Sequence, residues 1–174
     1  NQLGYDVTGA DLSANSIAAA KAFENEKLRF VVHDMREACV QKYDAVFNLF
    51  TSFGYFDNDQ DNLKTLVAIK DSLTEYGFAV IDFMNAQKVI DNLVPSEVKI
   101  VDNITFNITR KYENGHIFKD IKFEDQGQQF HYTEKVQALT LKDFETMMEQ
   151  AGIFLLDTFG DHKLKKFYAN ESDR

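Results

Sequence analysis

Three acidic residues stand at the ends of apolar, strand-like runs: Asp11 after Tyr5–Ala10, Asp34 just past Leu28–Val32, and Asp82 inside Phe78–Phe83. A carboxylate at the carboxyl end of a strand can accept two hydrogen bonds from a ribose diol, the usual way an open α/β sheet grips a nucleoside. Asp11 fits best, because Gly9-Ala10-Asp11-Leu12-Ser13 leads straight into an alanine-rich helical stretch, Ala14 to Phe23. Capping that helix is the plainer role for the same residue. Asp82 is a candidate for gripping an acceptor amine, again with capping as the alternative. Imidazoles can take a proton near neutrality, so His131 and His162 are candidate bases. Tyr55 could steer an acceptor. Surface or packing roles compete with all three. His33, beside Asp34, reads as structural, and His116, beside a turn, as exposed.

The elements that must position these residues alternate. Leu28–Val32, Tyr43–Phe50 and Phe78–Phe83 read as strands, the last after a Glu75-Tyr76-Gly77 turn. Asp61 to Leu73 carries apolar residues at helical spacing, and Leu141 to Ala151 reads as a later helix. Strands alternating with helices predict an α/β fold with a mainly parallel sheet covered on both faces.

The stretch 97–138 breaks that pattern. Asn103–Glu113 alternates Ile104, Phe106 and Ile108 with polar residues, Asn114-Gly115 supplies a type I′ turn, and His116–Glu124 returns. Gln128–Ala138 follows as a third strand. This predicts an antiparallel β-meander inserted within one domain spanning 1–174. Phe106, Tyr112, Phe118, Phe130 and Tyr132 could line a pocket there, although a stripe at period two is more often core.

In its ordered motifs the chain resembles the class I S-adenosylmethionine-dependent methyltransferases. The carriers are Gly4-Tyr5-Asp6-Val7-Thr8-Gly9-Ala10-Asp11-Leu12-Ser13, then His33-Asp34-Met35-Arg36, then Tyr43-Asp44-Ala45-Val46 with Thr51-Ser52-Phe53-Gly54-Tyr55. The resemblance implies a Rossmann-like fold and S-adenosylmethionine as cofactor. Asp11, with Leu12 beside it, would bind the ribose hydroxyls, Asp34 would meet the adenine amino group, and Met35 would lie against the adenine ring. Phe50, Thr51 and Phe53 would flank the methionine end. It also implies that the insertion covers the active site or forms a homodimer interface, with a small molecule as the methyl acceptor.

One departure is plain. The family's glycine-rich turn would lie upstream of Gly4, which reads as the C-cap of a helix's last turn. The expectation is a piece of a longer protein, truncated at both ends, whose glycine-rich motif is either cut off or truly absent. The alternatives are a non-catalytic binding module on a degenerate methyltransferase fold and a nicotinamide dehydrogenase, whose ribose Asp11 would suit equally well.

Composition narrows the partners. The formal net charge of −9 disfavours nucleic acid, whose phosphates call for a basic surface. Cys39 is the sole cysteine, so there is no internal disulfide, and a reducing cytoplasm is expected. No run approaches membrane-helix length, so no membrane is expected. The histidines are scattered, and Asp57–Asn62 lacks the glycine and the twelfth-position Glu of a calcium loop, so no metal is expected. That acidic run suits a helix start.

Overall fold

A computed structural model describes residues Asn1–Arg174. In chain order the elements are β1 (Val7–Asp11), α1 (Ala14–Ala20), β2 (Leu28–Val32), β3 (Tyr43–Asn48), α2 (Asp59–Ser72), β4 (Leu73–Ile81), α3 (Ala86–Asp91), β5 (Ser96–Val101), β6 (Ile104–Glu113), β7 (His116–Asp125), β8 (Gln128–Gln137) and α4 (Leu141–Ala151). The alternating first half and antiparallel second half make this an α/β fold.

The single parallel sheet is corrected. β1 pairs in parallel with β2, and β3 with β4, but no strand of residues 1–174 hydrogen-bonds to both pairs. Each pair therefore keeps both outer edges unpaired. The chain exposes 12205 Å², against about 8,700 Å² expected for a folded monomer of this mass. Val31, Val32, Phe47 and Phe78 on the two pairs contribute to that excess.

The turn expected at Glu75–Gly77 is corrected as well. Leu73, the C-cap of α2, already has extended backbone, and β4 starts there. Gly77 sits where the β3–β4 register is irregular, and a Cβ on it would lie 3.0 Å from the Tyr43 carbonyl oxygen. The glycine permits a close approach of two strands. The helix expected over Ala14–Phe23 loosens to a 3₁₀ turn at Lys21–Phe23. α3, capped by Asn85, was not foreseen.

The meander has four strands in the order β5-β6-β7-β8. The extra one, β5, pairs antiparallel with β6 and starts the meander at Ser96. Asn114 and Gly115 both have positive φ, as a type I′ turn requires. Register places Phe106, Phe123 and Phe130 in a row, with the Phe123 and Phe130 rings stacked 4.8 Å apart.

The core lies where α2, α4 and the inner end of the meander meet. Phe53, Leu66, Phe83, Ile117, Val136 and Phe144 are buried together. α4 is set by a capping box, in which Thr140 and Asp143 bond each other's backbone N–H, and it stops at Gly152 with φ 67°. Left-handed backbone there favours glycine. α2 starts at Asn58, whose side chain accepts from the Asp61 N–H, with Asp59 and Asp61 facing the positive end of the helix dipole.

Candidate functional site

The carboxyl ends of the parallel strands gather the candidate residues. Asp11 and His33 lie side by side, since the His33 N–H donates to the Asp11 carbonyl. On the other pair the Asp82 N–H donates to the Asn48 carbonyl. The two edges touch where the Asn48 amide approaches the Met35 sulfur at 3.7 Å.

Asp11 closes β1 on an exposed corner. One carboxylate oxygen, Oδ1, accepts the Ser13 N–H at 2.7 Å, while Ser13 itself caps α1. The second oxygen has no hydrogen-bond partner within the chain. Leu12 beside it is exposed.

Asp34 is already engaged. Its oxygens accept from the backbone N–H and Nε of Arg36 at 3.0 Å each, and from Nη2 at 2.6 Å. The hydrogen-bonded Arg36 guanidinium holds the Asp34 carboxyl down at about 2. Arg36 also reaches Asp61 of α2 at 3.0 Å and lies over the Phe56 ring. An adenine amino group would have to share Asp34 with this arginine. The sequence put the two residues two apart, but nothing in it said that the side chains would fold onto each other.

Asp82 is the most connected side chain of the region. Its carboxylate, 7% exposed, accepts the Phe50 N–H at 2.7 Å, two Arg174 nitrogens at 2.5 and 2.6 Å, and His162 Nε2 at 3.2 Å. The Arg174 hydrogen bond, helped by Phe50 and His162, lowers the carboxyl to about 2 despite burial. Oδ2 takes three of these bonds and Oδ1 one, so an acceptor amine would have to share Asp82 with Arg174.

The turn that Asp82 holds is strained. Phe50 and Thr51 have φ of 57° and 59°, and left-handed backbone is a genuine outlier for a β-branched residue. The Thr51 N–H donates to the Asp82 carbonyl. Such conformations persist where surrounding bonds over-determine them, and they cluster at functional sites. The Phe50 ring, 76% exposed, meets the His162 ring edge-on at 6.2 Å. Phe53 behaves differently: it is fully buried, 5.3 Å from Phe144, and packs into the core behind the segment.

His162 therefore joins this site, and His131 does not. His131 sits on the polar face of the meander and shares Asp120 with Thr133. Tyr55 is half exposed between the turn and the meander; burial, with Glu134 nearby, raises its phenol pKa. His33 bonds the Glu37 carbonyl, a structural contact. Arg174, which no motif marked, is the residue that sequence reasoning missed; it lies 92 positions from its partner. No group of three His, Cys, Asp or Glu side chains is placed to hold a metal ion.

Solved structures share this architecture. An S-adenosylmethionine-dependent methyltransferase from Clostridium acetobutylicum superposes at a TM-score of 0.84 with 18% identity, over 95% of this chain and 71% of that one. The chain has the fold of the class I S-adenosylmethionine-dependent methyltransferases. The methyltransferase CcbJ from Streptomyces caelestis gives a TM-score of 0.82 with 16% identity, over 98% of this chain and 73% of that one. CalS10 from Micromonospora echinaspora, an amino pentose methyltransferase solved with its S-adenosylmethionine, gives 0.71 with 17% identity, over 91% and 70%. No family model and no curated protein sequence matches the chain. No helix of this methyltransferase fold is long and apolar enough to cross a membrane.

Proposed function

We propose that the chain is the greater part of an enzyme that transfers a methyl group from S-adenosylmethionine to an amine on a small molecule. The carrying observation is the free carboxylate oxygen of Asp11 at the end of β1, with the exposed Phe50 ring against His162 at the carboxyl end of the other parallel pair. CalS10, an amino pentose methyltransferase, supports an amino sugar as the acceptor.

When bound, the sulfonium supplies a methyl carbon already activated for displacement, so the protein's share is to bind, orient and exclude water. Asp11 would hold the ribose, with Leu12 beside it. Met35 would lie against the adenine ring, with Asp34 reached through Arg36. Phe50 and Thr51 would border the methionine end, and the acceptor would enter between Tyr55 and His162. A homodimer through the meander, built on the Phe106-Phe123-Phe130 row, and a cytoplasmic setting belong to the same reading. The test is transfer of labelled methyl from S-adenosylmethionine to a set of amino sugars by the whole chain. Labelled product supports the reading, and none above a protein-free control contradicts it.

The pairing of Asp34 with Arg36 favours a second reading, a non-catalytic module on the same fold. On that reading the chain binds no S-adenosylmethionine at all.

A further inference from the structure

We propose that Asp82 is a positioning residue serving both halves of the site: it fixes the Phe50–Thr51 turn and sets the tautomer of His162 so that Nδ1 is the nitrogen left to take a proton. The inference rests on the methyltransferase reading for its chemistry, but its geometry stands alone.

Asp82 Oδ2 accepts the Phe50 N–H and faces His162 Nε2, while the Asp82 backbone carbonyl accepts the Thr51 N–H. One residue therefore pins two consecutive left-handed residues from both its main chain and its side chain. An ionised carboxylate can only accept, so the nitrogen facing it must carry the hydrogen. The paired Arg174 guanidinium keeps Asp82 ionised. His162 is thereby held as the Nε2–H tautomer, its ring braced edge-on against Phe50. The side chain is 62% exposed and Nδ1 has no hydrogen-bond partner within the chain, which leaves its lone pair free. The proton lost by an acceptor ammonium passes to Nδ1, and the imidazolium so formed returns it to water. This is the logic by which a buried acid orients a histidine base. The meander holds a second acid–histidine pair, His131 with Asp120 at 3.0 Å, but Asp120 bonds Thr133 and His131 and not the Phe50–Thr51 turn.

The experiment is ¹⁵N NMR of the imidazole nitrogens in the whole chain above the imidazole titration range, with His162 assigned by its loss in His162→Gln, together with S-adenosylhomocysteine titration. Wild type is expected to show Nε2–H at His162. Asp82→Asn keeps an accepting oxygen and should keep that tautomer. Asp82→Ala should relax it to the mixture of a free imidazole and weaken S-adenosylhomocysteine binding about tenfold through the loosened turn. An Nδ1–H tautomer in wild type, or a tautomer unchanged in a folded Asp82→Ala, overturns the proposal. If wild type shows the expected tautomer but binds no S-adenosylhomocysteine, the positioning holds and the methyltransferase reading is what falls.

Discussion

Asp82, at the end of β4, accepts the backbone N–H of Phe50 at 2.7 Å and so fastens the turn after β3 to the neighbouring strand. The same carboxylate pairs with Arg174 from the far end of the chain. A single acid thus closes the carboxyl edge of one parallel pair, and several consequences can be measured.

The first concerns acid. Asp82 falls from 3.8 to about 2 on folding. A depressed carboxyl contributes stability that is complete above its unfolded value and is lost as pH falls through its folded one. Between pH 4 and 2 the chain should lose about 2 kcal/mol from this group. Urea titrations at pH 5 and pH 2.5 should show the loss, and Asp82→Asn should remove this part of it. Equal pH dependence in the two proteins would contradict the assignment.

The second concerns strain. Thr51 has φ 59°, which costs a non-glycine residue about 1–2 kcal/mol. Thr51→Gly should raise the stability by about 1 kcal/mol in denaturant titration. A drop in stability would mean that the threonine side chain contributes more than the backbone loses.

Much of this arrangement was legible in the residues, and the rest was not for identifiable reasons. β2 and α4 were readable because apolar period and caps agree: Leu28–Val32 is an apolar run, and Thr140 and Gly152 bracket Leu141–Ala151. Asp11 was readable because a strand, an acid and a cap follow one another locally. Gly77 was read as a turn because glycine marks both turns and close strand contacts, and only the approach of Tyr43 tells them apart. The side of the segment that Phe53 faces depends on where α4 packs. The union of Asp82 with Arg174 and His162 joins residues 80 and more positions apart. Local pattern carries no trace of it.

The third prediction concerns the support behind the site. Phe144 of α4 touches Phe53 and Phe83, with ring centres 5.3 and 5.2 Å away. Phe144→Ala should cost about 3–5 kcal/mol, enough to unfold much of so small a core. Circular dichroism melts would check it, and a loss below 1 kcal/mol would show that the cluster is loosely packed.

The fourth concerns the meander. If the Phe106-Phe123-Phe130 row is a homodimer interface, the wild-type chain should sediment as a dimer and Phe123→Asp as a folded monomer. A wild-type monomer at tens of micromolar would dismiss the interface.

The central claim is a nucleoside site at Asp11, and calorimetric titration of S-adenosylhomocysteine into the whole chain tests it most directly. Wild type should bind, and Asp11→Ala should lose about 2 kcal/mol, roughly thirtyfold in Kd. No binding by wild type, or equal binding by both proteins, would contradict it.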